Sequence, residues 1–248
     1  MCELCGRQID HALPARRSFL KAAAFTAASL TAASLASTPR AFAAPPKAPP
    51  KQENVLPPDA ALKRLLDGNA RYIAGTTQRH DFRHEREALS GGQNPFAAVL
   101  SCADSRIAPE FCFDTARGDV FVCRVAGNFA TDEIVASLEY AVQVLNTPLI
   151  IVLGHEACGA VNATIKSIKD GTTLPGHLPS LVQALSPAVE AAQGQPGDLL
   201  ANTIARNVAM NVDRLKSSTS ILQSFVNNDR LHVVGGVYAL KTGKVALV

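Results

Sequence analysis

Two short apolar runs, residues 95–100 (PFAAVL) and 149–153 (LIIVL), each stop on a cluster of metal-competent side chains. The first is followed by Ser101-Cys102-Ala103-Asp104-Ser105-Arg106. The second is followed by Gly154-His155-Glu156-Ala157-Cys158-Gly159. Continuous apolar runs of this length, bounded by turn residues, are the pattern of strands buried on both faces. Strands of that kind confine a chain to a mainly parallel sheet covered by helices on either side. In such sheets ligands gather beyond the carboxyl ends of the strands, which is where both clusters fall.

The rest of the chain supports the same architecture. Leu62, Leu65, Leu66, Ala70 and Ile73 recur at helical spacing and predict a helix over 59–74, stopped by Gly75. A β-branched run at 119–125 (DVFVCRV) predicts a second strand. An amphipathic helix is expected over 131–145, with Thr131 as cap and Asp132 and Glu133 in its first turn. Two or three helices should follow between about 178 and 226. Two last strands, 231–238 and 244–248, flank a turn at Lys241-Thr242-Gly243. The expected fold class is therefore α/β: one domain with a mainly parallel central sheet, helices on both faces and an antiparallel last strand.

The beginning of the chain has a different character. Arg16-Arg17-Ser18-Phe19-Leu20-Lys21 is a twin-arginine pattern. An Ala/Ser/Thr-rich run follows it and ends at Ala41-Phe42-Ala43, a small-residue exit. The run is too weak to span a bilayer, which takes about 20 predominantly apolar residues. Residues 1–43 are expected to be a twin-arginine signal peptide that directs the protein to the periplasm, with no membrane anchor left after cleavage. Residues 44–58 carry six prolines and are expected to be a linker, with the folded domain over 59–248.

Removing the leader changes the charge argument. Arg7, Arg16, Arg17, Lys21 and Arg40 against Glu3 and Asp10 leave the leader with the whole chain's net charge of +3, so the remainder is balanced. That excludes a strongly basic nucleic-acid-binding domain. Cys2 and Cys5 fall inside the leader, and a lone CxxC supplies only half of a structural zinc set. Cys102, Cys112, Cys123 and Cys158 remain. A chain of about 200 residues rich in Val, Leu, Ile and Ala can bury a core without disulfides. Cys123, inside an apolar run, is expected to pack as a small hydrophobe. His80 and His84 sit in a charged stretch with no HExxH-type pattern and are expected to belong to a solvated face.

Taken singly, Cys102 reads as a buried thiol, His155 as a core histidine and Cys158 as a disulfide mate. Taken together they make a Cys₂His set of the catalytic zinc type, with a fourth position open for water. Thiolates with imidazole select Zn²⁺ over Mg²⁺ or Ca²⁺. Asp104 competes for the fourth position unless Arg106 holds its carboxylate in a bidentate pair. With Asp104 so held, water binds the zinc, and its pKa falls to about 7.

CxDSR, the strand Gly118-Asp119-Val120-Phe121-Val122, then Arg124-Val125-Ala126-Gly127-Asn128 and GHxxCGA together resemble the β-class carbonic anhydrases. The resemblance runs over about 62–238. It implies a zinc lyase that hydrates CO₂ reversibly to bicarbonate and a proton through zinc-bound hydroxide. By position it makes Cys102, His155 and Cys158 the zinc ligands and Asp104 with Arg106 the catalytic dyad, Asp104 becoming a fourth ligand in a closed state. It also implies a homodimer or dimer of dimers, with the helix at 59–74 embracing the partner. Some family members favour the closed state through a Trp-containing bicarbonate pocket. This chain has no Trp. Two other readings stay open at this point: a hydrolase of CS₂ or COS on the same fold, and a noncatalytic zinc protein with a closed site or a Cys102–Cys158 disulfide.

Overall fold

The structure is a computed structural model that describes residues 55–217 and 219–248. The expected signal at 1–43, with Cys2 and Cys5, and most of the linker at 44–58 lie outside the described residues.

The elements follow in the order α1 (Pro58–Ala74), α2 (Phe82–Leu89), β1 (Ala97–Ser101), α3 (Pro109–Cys112), β2 (Val120–Arg124), α4 (Asp132–Gln143), β3 (Leu149–His155), α5 (Gly159–Asp170), α6 (Pro179–Ala192), α7 (Leu199–Ser217), α8 (Ser220–Asn227), β4 (His232–Tyr238) and β5 (Val245–Leu247). They build a five-stranded sheet of order β2-β1-β3-β4-β5. The first three neighbouring pairs are parallel, and β5 runs antiparallel to β4. The mainly parallel sheet with an antiparallel last strand is the one expected, and the 178–226 region holds three helices, α6 to α8.

Alternation along the strands divides the core. Ala98 and Leu100 of β1 join Ile150 and Val152 of β3 on one face, under α4, α7 and α8. Ala97 and Val99 join Leu149, Ile151 and Leu153 on the other, under α1 and α3. Every residue of β1 and β3 is buried. Such strands need apolar side chains at each position, which explains the unbroken runs in the sequence.

Helix ends follow local chemistry. Gly75 closes α1 in the left-handed conformation, φ 68°. The Thr131 side chain accepts from the Ile134 N–H at the start of α4. The helix at 82–89 starts on Asp81, so His80 precedes it and the two histidines do not share a helical face. His80 faces Glu85 and His84 faces Asp81.

Helix α1 is seated by polar contacts across the sequence. Gly68 has no Cβ, and the Phe113 carbonyl occupies the space where one would stand. Asn69 is buried. Its amide donates to the carbonyls of Cys112 and Gly243, both at 2.8 Å, and accepts from the Val245 N–H at 2.9 Å. One side chain thus ties α1 to α3, to the turn of the last hairpin and to the start of β5. Asn69→Ala leaves these groups buried without partners. The expected loss is about 2–3 kcal/mol in chemical denaturation; a change within about 0.5 kcal/mol would contradict the tie.

Candidate metal centre

The sheet brings the two sequence clusters side by side. Strands β1 and β3 are parallel neighbours with Ser101 opposite Leu153, so their following loops leave the same edge together. Cys102 follows directly on β1, His155 is the last residue of β3, and Cys158 is the N-cap of α5. Between the last two, the Glu156 N–H donates to the Tyr238 carbonyl at 3.0 Å, and its carboxylate accepts from the Leu240 N–H at 3.1 Å. Ala157 then turns through the left-handed region at φ 51°, which brings Cys158 back toward His155.

The ligand atoms of Cys102, His155 and Cys158 all lie within 4.8 Å of one another, and all three residues are buried. A tetrahedral zinc with Zn–N and Zn–S bonds of 2.0–2.3 Å would set its ligands about 3.3–3.8 Å apart, a size this cluster reaches with small adjustment. His155 supplies the test of fit. Its Nδ1 lies 2.8 Å from the Glu156 carbonyl, which can only accept, so Nδ1 carries the proton. Nε2 is therefore a bare lone pair, and it is buried with no hydrogen-bond partner. Buried acceptors are rarely left so. A metal ion at the cluster satisfies it, and the soft donor set fits zinc.

The thiols are electrostatically unlike. Cys102 is held well below the ordinary thiol range, first by a hydrogen bond from Cys158 and further by the Gly127 N–H, against the effect of burial. Cys158 is pushed up by the same shared bond and by burial. Metal binding requires both sulfurs as thiolates, so it must displace the proton that the pair shares. All four described cysteines are free thiols. Cys123 packs in the core as expected, and burial pushes the Cys112 thiol up, which makes it inert.

Asp104 stands at the rim. Its Oδ1 accepts from the Arg106 backbone N–H and Nε, both at 2.9 Å, and its Oδ2 accepts from Nη2 at 2.7 Å. These bonds hold its carboxyl well below the usual carboxylate range. Oδ2 is 3.9 Å from His155 Nε2, close to the cluster but engaged elsewhere. Arg106 also reaches the Ala157 carbonyl at 3.3 Å, which links the dyad to the loop carrying the other ligand candidates.

Other contributors were not legible from residue types alone. Arg124, at the end of β2, donates to the carbonyls of Cys102 at 3.0 Å, Asp104 at 2.7 Å and Ile107 at 2.8 Å, and so clamps the 102–107 loop. Gly127 directs its N–H at the Cys102 sulfur, 3.3 Å away. Asn207 and Asn211 of α7 hold the Gly127 loop from behind. Two asparagines one turn apart beside Ile204 and Val208 were the available signal.

A cavity of about 520 Å³ lies elsewhere, lined among others by Arg64, Arg71, His80, Asp114 and Asp119. Its charges are locally paired, Arg64 with Asp119 at 3.1 Å and Arg71 with Asp114 at 2.6 Å, and none of the three ligand candidates lines it. Size alone does not mark the reactive centre.

Comparison with known proteins agrees with this geometry. A family model described as carbonic anhydrase matches residues 97–245. Carbonic anhydrase 2 of Mycobacterium tuberculosis is 39% identical over 191 residues, covering 77% of this chain and 92% of that protein. A carbonic anhydrase of Mycolicibacterium smegmatis is 38% identical over 192 residues, covering 77% and 93%. Among solved structures, the β-carbonic anhydrase CcaA matches with a TM-score of 0.58 and 26% identity, covering 75% of this chain and 94% of that one. One of two tetrameric β-carbonic anhydrases of Sordaria macrospora shares the fold with a TM-score of 0.61 at 22% identity. With the metal-competent cluster at the parallel strand ends and these matches over most of the chain, the protein belongs to the β-class carbonic anhydrase family.

Proposed function

We infer that this protein is a zinc-dependent carbonic anhydrase that hydrates CO₂ reversibly to bicarbonate and a proton. Cys102, His155 and Cys158 hold the zinc. The observation that carries this reading is the orphaned, buried Nε2 of His155 facing two thiols, with the Asp104 carboxylate beside it but withheld by Arg106. Bound zinc supplies Lewis acidity that turns water into a nucleophile near neutral pH.

The chain's own residues do the rest. With zinc held there, Asp104, ionised and acceptor-only, would accept a hydrogen bond from the attacking water or hydroxide and orient it toward the carbon of CO₂. Arg106 keeps Asp104 off the metal and in register. Burial of the three ligands excludes bulk water from the inner side of the centre. A purely structural Cys₂HisAsp site has no use for an arginine that holds the fourth ligand away, so catalysis is favoured over a noncatalytic role. Nothing in the geometry favours CS₂ or COS over CO₂.

Stopped-flow CO₂ hydration with metal content measured alongside tests this reading. Activity proportional to one bound zinc per chain is expected; a zinc-loaded protein without hydration activity would overturn it. The rate should fall from pH 9 to pH 6 as the nucleophile takes up a proton. Asp104 is not the group that titrates there. Its folded pKa is depressed, so the stability from its pair with Arg106 is present above the unfolded value of 3.8 and is lost only as pH falls through the lower folded value. A flat profile across pH 6–9 would contradict the mechanism.

The remaining assignments extend the same reading. Residues 1–43 act as a twin-arginine signal, 44–58 as a linker, and the enzyme works in the periplasm without a membrane anchor. Among the described residues no helix is long and apolar enough to cross a membrane. The enzyme assembles as a homodimer or dimer of dimers. The uncovered edge of β2 and the exposed Phe111 and Tyr140 support this.

A further inference from the structure

We propose that Asn207 and Asn211 of α7 are positioning residues that tune the metal centre from outside its ligand set, by fixing Gly127, the residue whose N–H donates to the Cys102 sulfur. The proposal rests on Cys102 being a zinc ligand.

The contacts form one chain. Asn211 Nδ2 donates to the Asn207 side-chain Oδ1 at 3.0 Å and to the Asn207 backbone carbonyl at 2.8 Å. The first bond orients the Asn207 amide with its Nδ2 free to donate. That Nδ2 donates to the Gly127 carbonyl at 2.8 Å. The Gly127 N–H then meets Cys102 Sγ at 3.3 Å. Asn211 Oδ1 accepts from the Ala130 N–H at 2.8 Å and pins the far end of the same loop.

Both asparagines are buried, at 2% and 7% exposure. Asparagine is a poor choice for the middle of a helix, and a buried amide is costly unless its hydrogen bonds are made. Here they are made to the loop beside the sulfur. Gly127 lies at φ 88°, where a side chain is strained, and an added Cβ would stand 2.9 Å from Leu185 Cδ1. The peptide is thus held from three sides: by its own backbone conformation, by Leu185 and by Asn207.

The chemistry follows from the direction of donation. An N–H bond to a thiolate withdraws electron density that the sulfur would otherwise give to the metal, and outer contacts of this kind set both metal affinity and Lewis acidity. Loss of the Asn207 donor releases the Gly127 carbonyl, lets the residue shift about its own φ and ψ, lengthens the N–H···S contact and makes Cys102 a stronger but less firmly placed donor.

The test uses the enzyme with cobalt(II) in place of zinc. A thiolate-to-cobalt charge-transfer band in the parent protein checks the ligand set, and its absence would overturn that reading together with this one. In Asn207→Leu the band should move to longer wavelength, because the sulfur donates more strongly, while zinc affinity measured against a chromophoric chelator should fall about 10-fold, the low end for outer-shell changes, because the lost positioning of Cys102 outweighs the stronger donation. Asn211→Leu, one bond farther from the sulfur, should give a smaller shift of the same sign. If the leucine variant fails to fold, Asn207→Asp keeps the volume, removes the donor and should show the same shift. Folded variants at either position with an unmoved band, whatever their thermal stability, would reduce the asparagines to a structural role and overturn the proposal.

Discussion

Asp104→Ala should keep its zinc and lose CO₂ hydration by about 10²–10³-fold in kcat/KM, the scale of removing one preorganised hydrogen-bonding partner from a reacting group. Zinc is retained because the carboxylate is not needed as a ligand: Cys102, His155 and Cys158 converge without it, and Asp104 is turned toward Arg106. Activity is lost because nothing else in the described structure lies as an anion beside the open position. Arg106→Met separates the two roles of the dyad. Without the bidentate pair, Asp104 Oδ2 is free to close the 3.9 Å gap toward the cluster and occupy the fourth position. Activity should fall by a similar factor, but zinc affinity should rise where Asp104→Ala leaves it unchanged. Metal content, chelator competition and stopped-flow hydration on both variants check this. Full activity in Asp104→Ala would remove the dyad from the mechanism.

Zinc removal should lower stability by about 4 kcal/mol when free zinc had stood at about a thousand times its dissociation constant, because only the folded chain presents the three ligands together. For a domain of this size that corresponds to a fall of roughly 10 °C in Tm. The domain should stay folded. Its two large apolar clusters, one on each face of the sheet, include none of the three ligands. The small cluster around Cys102 and Cys158, with Val161, Leu185 and Ile204, is the part that loosens. His155→Ala should show the lowered Tm without any response to added zinc. Identical melting curves for zinc-loaded and chelator-treated protein would show that the cluster holds no ion.

The candidate metal centre was readable because its ligand candidates sit at strand ends. A strand buried on both faces announces itself as an apolar run, and in an α/β sheet the loop after it faces the ligand side. Cys102, Asp104, Arg106, His155 and Cys158 could therefore be named from spacing and side-chain chemistry. Arg124 could not. It sits among apolar residues at the end of β2, and only the pairing of β2 with β1 carries its guanidinium to the carbonyls of the 102–107 loop. Asn207 and Asn211 are some 80 residues from the loop they hold, and no local pattern connects them to it. His80 and His84 were expected on a solvated face. His84 is exposed and pairs with Asp81, while His80, just ahead of α2, is half-buried against Glu85.

The sequence by itself determined the class of fold, the antiparallel last strand, the composition of the metal set and the chemistry that set can support. These depend on side-chain type, on unbroken apolar runs and on a helical periodicity of 3.6, which are local properties. The tertiary structure decided the rest. It placed Cys102 and the His155–Cys158 pair on adjacent strand ends, left His155 Nε2 buried and unpartnered, and set Asp104 against Arg106 instead of among the ligands. Those outcomes depend on strand order and on hydrogen bonds between distant segments, which no single stretch of chain encodes.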